Sequence, residues 1–256
     1  MKKLFVSSLL LLSVMAALGQ GAPPVANAVF SPKRVIKTNL LGYALLTVSA
    51  NYEQKVGPQT SVGLLAGYKI PSVIHVDAIG ELDGENQTYS GDVEPQGFFV
   101  NPYFRFYTGK AMTGFYLEAF ARYYDYTYLV PYDYDKDGQI IHANLDGTAS
   151  GMGGGLAIGV QLQLAPRIYL DINGGMGVAS GDAHVETHDP NLDPEDYQTI
   201  KRNIEDYAED ADVRLMLLDK TISSLVAGAD DNSAWADIEN EIFPIVRGGI
   251  AIGFAF

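Results

Sequence analysis

The chain contains no cysteine. That absence excludes a disulfide scaffold, thiolate zinc sites, a cysteine nucleophile and the cysteine-linked anchor of bacterial lipoproteins. Tryptophan occurs once and histidine four times in 256 residues, so metal binding and general-base chemistry have few carriers. Beyond Leu18 no stretch approaches ~18 consecutive apolar residues, which leaves no helix able to cross a bilayer. Positive charge is also scarce, with 17 Lys and Arg against 31 Asp and Glu and a formal net charge of −14. A nucleic-acid partner would need a basic face and is excluded. The acidic excess lies mostly in residues 183–243, which hold 16 Asp and Glu against 4 Lys and Arg. That segment reads as a solvated acidic loop, or as a surface for divalent cations or basic partners.

What is present begins with an export signal. Met1-Lys2-Lys3 and the apolar run Leu4 to Leu18 form a charged region and a hydrophobic region, with Ala17 and Gly19 at −3 and −1 of a cut before Gln20. Residues 1–19 are therefore expected to be a signal peptide, and residues 20–32, small and proline-containing, an extended leader. A membrane protein without spanning helices must be a closed barrel, and the rest of the chain alternates as such a barrel requires. In the last strand Val246, Ile250, Ile252, Phe254 and Phe256 fall on one face, and Arg247, Gly249, Ala251, Gly253 and Ala255 on the other. Eight strands are predicted, near 33–41, 44–55, 61–76, 97–108, 113–128, 150–165, 167–182 and 244–256. Connections after strands two, four and six are short turns. Those after three, five and seven are long, with polar loops at 77–96 and 129–149. This parity fits an antiparallel barrel with both termini periplasmic and its long loops extracellular. Pro102, which cannot donate to a ladder, predicts a bulge or irregularity.

The charged strand residues Lys37, Glu53, Lys69, Arg105, Glu118, Arg122, Asp171 and Arg247 all fall on the smaller-residue face. Against lipid each Lys or Arg near mid-membrane would cost about 2–4 kcal/mol; in the lumen opposite charges can pair. Eight strands leave a lumen just wide enough for side chains, so a polar network plugging the interior is expected. In the hairpin turning at 109–112 Tyr103 should oppose Glu118, with Arg105 on the diagonal, and Gln161 should oppose Asp171. A soluble lipocalin-like barrel turned the other way would bury those charges against an apolar cavity wall.

Residues 183–243 break the alternation. Asp193-Pro194-Glu195-Asp196 is a helix start. Ile200, Ile204, Tyr207, Ala211, Leu215, Leu218, Ile222 and Leu225 follow at helical spacing, and Ser233 caps a predicted second helix carrying Trp235, Ile238 and Ile242 on one side. The insertion reads either as a helical hairpin burying its own stripes or as a surface whose Trp235, Ile238 and Ile242 receive an extracellular ligand or protein. Asp133, Asp135 and Asp137, followed by Gly138 and Ile140, match the first half of a calcium loop, although Asn144 stands where a bidentate Glu is needed. These residues are the one candidate cation site with a motif, and an acidic turn is the alternative reading. His184, Glu186 and His188 would share a face if extended. The glycines between 151 and 177 complete no phosphate-binding motif and fit close packing inside a narrow barrel.

The Lys37-Thr38-Asn39-Leu40-Leu41 start, the Asn101-Pro102-Tyr103-Phe104-Arg105-Phe106-Tyr107 strand and the Phe-terminated end resemble the small OmpA-like, eight-stranded outer-membrane β-barrels of Gram-negative bacteria, in an uncharacterised group common in Bacteroidetes. That resemblance implies an all-β, eight-stranded antiparallel transmembrane β-barrel over 33–256 with a helical insertion, 183–243, in the last outer loop. It implies outer-membrane lipid as surroundings and recognition by the barrel-assembly machinery through the strand ending at Phe256. The expected function is non-enzymatic: envelope structure, or binding of an external ligand or protein through the long loops. A lipid-modifying enzyme would need a His or Ser with a carboxylate at the outer rim, where only His75, His142 and His184 come near. A channel would need the lumen cleared of charge.

Overall fold

The computed structural model describes residues 32–75, 92–136, 139–189, 191–210, 212–215, 218–221 and 224–256. The expected signal peptide and most of the leader lie outside the described residues, as does most of the 77–96 loop. Eight strands form one antiparallel ring: β1 (Arg34–Asn39), β2 (Thr47–Lys55), β3 (Thr60–Lys69), β5 (Asp92–Tyr107), β6 (Gly114–Lys136), β7 (Gln139–Ala165), β8 (Ile168–Thr187) and β12 (Ala234–Ala255). The ring closes where β12 pairs with β1, from Val35↔Ala255 to Asn39↔Ala251. A short strand β4 (Ile74–His75) adds to β5, β9 (Asp212–Leu215) pairs with β10 (Leu218–Thr221), and β11 (Leu225–Ala229) pairs with the start of β12.

The expected parity holds except after β6, where the connection expected to be long is replaced by pairing up to Lys136↔Gln139. Short connections follow β2, β5 and β7, and the first two bond to each other through the Ala111 N–H and the Pro58 carbonyl at 2.8 Å. The first connection at the other end, expected as a bare corner at Gly42-Tyr43, is a one-turn helix α1 (Leu40–Ala44). Asn39 caps it by accepting from the Leu41 N–H at 3.2 Å, and the same Oδ1 accepts from the Ile250 N–H at 3.2 Å, which ties α1 to β12.

Four expectations need correction. The described residues of 129–149 are strand, not loop: β6 and β7 stay paired up to Lys136↔Gln139. β7 thereby reaches 27 residues, ~90 Å at about 3.3 Å per residue. Its inward residues there, such as Ala143 and Leu145, are buried under the insertion, and that packing favours pairing over a solvated loop. Second, the helical stripe ends early. Helix α2 spans Pro194–Asp210, and the predicted second helix is strand, since β12 starts at Ala234. Ala234, Trp235, Ala236, Asp237 and Ile238 pair on one side with β8 and on the other with β11, and two ladders outweigh a weak helical period. Third, Pro102 makes no bulge, only a lapse of the β5–β6 pairing at Asn101 and Pro102. Its neighbours keep register on both sides, Val100↔Tyr123 and Tyr103↔Phe120, because a proline whose missing donor falls at an interrupted point of the ladder costs no shift. Register shifts lie in β12 between Ile238 and Glu241, where Asn240 has φ 54°, and in β7 between Gln163 and Ala165. Fourth, Arg105, not Tyr103, stands opposite Glu118, because Tyr107↔Tyr116 closes the hairpin two residues further along than expected. Gln161 does oppose Asp171.

The faces sort as alternation dictates. Outward rows are apolar, as in Leu156, Ile158 and Leu164 of β7, Met176 and Val178 of β8, and Val246, Ile250, Ile252 and Phe254 of β12, all exposed. That row ends at one level on three neighbouring strands, where the register Asp125↔Ser150↔Asp182 replaces apolar side chains with polar ones. From Leu164 to Met152 the apolar row covers ~40 Å along β7 at about 3.3 Å per residue, or ~30 Å in height at a strand tilt near 40°.

Candidate functional site

The inward face fills the ring in layers. At the short-turn end Val35, Tyr107, Met112, Tyr116, Tyr169 and Ala255 form a buried apolar plug. Met112 enters it because the β5–β6 turn folds inward, and its carbonyl accepts from Gln161 Nε2 at 3.1 Å.

Above the plug lies the polar network. Lys37 Nζ donates to Glu53 Oε2 at 2.6 Å and Asp171 Oδ2 at 2.5 Å. Arg105 contacts three carboxylates: Glu118 Oε2 at 2.7 Å through Nε, and Glu53 Oε2 at 3.1 Å and Asp171 Oδ2 at 2.7 Å through Nη1. Arg247 Nη1 donates to Glu118 Oε1. The second oxygens are also used, with Tyr107 OH and Ser61 Oγ donating to Glu53 Oε1 and Tyr116 OH to Asp171 Oδ1. Three cations thus meet three carboxylates in nearly complete burial. Buried charge persists only when paired and hydrogen-bonded; every member here is paired, while Arg105 Nη2 and Arg247 Nε keep no partner among the described residues.

Glycines make room for the side chains. A Cβ on Gly63 would stand 2.2 Å from the Tyr103 ring, and one on Gly159 2.4 Å from the Tyr116 hydroxyl. Here small residues let aromatic rings lie against the lumen wall; of the glycines expected to pack closely, a Cβ on Gly151 would stand 2.6 Å from the Tyr124 hydroxyl and one on Gly175 2.4 Å from Ala157 Cβ, whereas Gly174 has open space.

Above the network Tyr103, Phe120 and Ile245 form a second apolar layer. Beyond it opens a cavity of about 340 Å³, with Lys69, Arg122, Arg247 and Asn101 among its polar lining and Phe99 and Tyr126 among its aromatic lining. The expected network therefore divides. Glu53, Arg105, Glu118, Asp171 and Arg247 converge, joined by Lys37, whereas Lys69 and Arg122 sit higher, at the cavity. Lys69 Nζ bonds the Ile70 carbonyl at 2.9 Å and Ser72 Oγ; Arg122 Nη1 bonds the Val246 carbonyl at 3.3 Å and stacks 4.6 Å from the Phe99 ring centroid. The tyrosine and glutamine members of the network carry no charge pattern in the sequence. Only the register Gln161↔Asp171 and the inward parity of Tyr107 and Tyr116 could have found them.

The other candidates separate. Trp235 and Ile242 lie on the outer face and Ile238 on the inner, so they share no surface. Trp235 stands across β11 from Gly228, whose Cβ would lie 2.4 Å from the indole. Asp133 and Asp135 belong to the paired β6–β7 strands, which reach Lys136↔Gln139, and Asp137 lies outside the described residues. His184 and Glu186 share the outward face of β8, with His184 Nδ1 2.6 Å from Asp237 Oδ1 and His188 Nε2 3.1 Å from Glu186 Oε2. The sequence reading missed Asp237, which the bulge in β12 places beside His184. Among the described residues no group of three or more His, Asp or Glu converges to hold a metal ion, and no Ser or Thr hydroxyl bonds the His184 ring.

A family model described as "Protein of unknown function (DUF3575)" matches residues 6–203. The chain belongs to the DUF3575 family. No curated protein matches this DUF3575 chain. Among solved structures it is similar to the crystal structure of Acinetobacter baumannii CarO, with 13% sequence identity, a TM-score of 0.38, and coverage of 90% of this chain and 100% of that one.

Proposed function

We propose that this DUF3575 protein is a non-enzymatic transmembrane β-barrel of the outer membrane that serves envelope structure and presents a binding surface outside the cell. One observation carries the reading: exposed apolar rows point out of the ring and, on β6, β7 and β8, end at a common polar level, while the paired charges point in. An apolar band ~30 Å high is what a bilayer core of about 25–30 Å would cover. Tyr68, Phe98 and Tyr123, exposed near the upper edge, and Phe104, Phe106 and Phe254, exposed toward the lower, suit the aromatic girdles of such barrels. The extended β6–β7 hairpin and α2 then stand outside the cell, both termini lie in the periplasm, and the strand ending at Phe256 is the element the assembly machinery reads. The filled lumen argues against a channel, and its charge against a lipocalin-like cavity. The test is gel mobility of the membrane fraction with and without boiling. A heat-shifted band supports the reading, and an unshifted protein in the soluble fraction overturns it.

A second reading, a lipid-modifying enzyme, is favoured by the His184–Asp237 pair just above the polar level. There Asp237 would orient an imidazole base, and Thr148, opposite His184 in register, is the nearest hydroxyl-bearing position in that row. Release of labelled fatty acid from an outer-membrane lipid extract, abolished in His184→Ala, would establish it; no release by wild type would remove it.

A further inference from the structure

The cavity at the mouth of the lumen differs from the rest of the molecule in charge. The chain carries a formal net charge of −14, yet the described residues lining this cavity include Lys69, Arg122 and Arg247 and no carboxylate. Arg247 is neutralised from below by Glu118. The described partners of Lys69 and Arg122 are neutral carbonyls and hydroxyls, while Glu94, which acts on Lys69 at longer range, lines a separate recess.

Hydrogen bonding gives a second, independent sign. The Nε atoms of Arg122 and Arg247 and the Oδ1 of Asn101 are buried with no partner among the described residues, and all three side chains line this one cavity. Buried polar groups are almost always bonded, and three of the five orphan side-chain atoms among the described residues belong to residues that gather around this one space. Stacking holds the guanidinium groups in place, Arg122 over Phe99 at 4.6 Å and Arg247 over Tyr103 at 5.1 Å and Phe120 at 5.3 Å. Planar guanidinium groups fixed against rings keep their edges ready for an oxyanion. A volume of about 340 Å³ lies within the range of small-ligand sites, about 300–1,000 Å³.

We propose that the mouth of the lumen binds a small organic acid. Its oxyanion lies between Arg122 and Arg247, its apolar or aromatic body rests against Phe99 and Tyr126, and a hydroxyl or N–H on it donates to Asn101. Lys69 at the rim adds attraction at longer range. The inference rests on the lumen residues and not on what surrounds the outer face.

The test uses the full chain, ¹⁵N-labelled in detergent micelles, and follows the arginine Nε–H signals during titration with mandelate, an aromatic acid bearing a hydroxyl, and with its neutral counterpart mandelamide. Mandelate is expected to shift the Arg122 and Arg247 signals saturably. The Arg105 signal, committed to Glu118 at 2.7 Å, should stay in place, and mandelamide should shift none. Arg122→Gln should weaken mandelate binding about tenfold, as loss of one charge-assisted contact does. Lys69→Gln, at the rim and outside the buried network, should weaken it about threefold and carries the test if Arg122→Gln does not fold. Absence of a saturable shift, an equal response to mandelamide, or unchanged affinity in Lys69→Gln overturns the proposal. A retained heat-shifted band in the same sample separates failure of the site from failure of the barrel.

Discussion

Arg105 and Glu118 face each other across the β5–β6 ladder, and the guanidinium Nε reaches the carboxylate at 2.7 Å inside a wholly buried lumen. Neither residue has a solvent-side alternative, since both side chains have no exposed surface. The pair is one edge of a balanced cluster, so removing a member leaves opposite charge buried and unmatched.

Arg105→Met should lower unfolding free energy by about 3–5 kcal/mol, the range for breaking a buried ion pair by removing one partner. Exposed Lys110→Ala should change it by less than about 0.5 kcal/mol. Urea unfolding in lipid vesicles, followed by tyrosine fluorescence, measures both. Equal effects would mean that the network does not hold the ring together.

Gly63 lies beneath the Tyr103 ring, and Gly174 has nothing within 4 Å of where a Cβ would be. Gly63→Ala should cost about 1–3 kcal/mol by overpacking, and less in a Tyr103→Ala background, giving a coupling of about 1 kcal/mol or more in a double-mutant cycle. Gly174→Ala should be nearly neutral. Equal cost at the two glycines would show that the aromatic ring does not lie across the wall at Gly63.

Asp230, in the turn from β11 to β12, accepts the backbone N–H of Asn232 at 2.8 Å and the Ser233 N–H and hydroxyl at 2.8 and 3.1 Å. These bonds, the Asn232 N–H foremost, hold its carboxyl below the usual aspartate range. A folded value depressed below the unfolded one means that the turn's stabilisation is present above the unfolded value and lost as pH falls through the folded one. Carbon-detected titration should therefore place the Asp230 midpoint below the usual aspartate range, and protection of the Asn232 amide should fall only as pH falls through that midpoint. A midpoint within or above the usual range would contradict the capping role.

The ring was legible because its signal is strong. Strict alternation, charged residues on a single face, and turn lengths of alternating parity all point to one architecture. Register was legible at Gln161↔Asp171, where the tight turn at Pro166-Arg167 and the shift between Gln163 and Ala165 together give the expected pairing, and not where Met112 folds inward and lengthens the β5–β6 hairpin. The insertion misled because Ile200, Ile204 and Leu225 share one apolar period only formally. The first two pack beneath α2 against Ala143 and Leu145, and Leu225 pairs in a ladder with Ile238. Helical and strand periods are hard to tell apart over short stretches, and Trp235 fell to that ambiguity. The cavity was invisible for another reason: Lys69, Arg122 and Arg247 are distinguished from the rest of the network only by height along the lumen, which alternation does not encode.

The absence of native cysteine permits the most direct test of the membrane assignment. Single cysteines at Leu156, in the outward apolar row, and at Thr148, above the polar level, are labelled with an environment-sensitive fluorophore in lipid vesicles containing brominated acyl chains. The account predicts blue-shifted emission quenched by the brominated lipid at Leu156, and water-like, unquenched emission at Thr148. Water-like emission at both positions would contradict it.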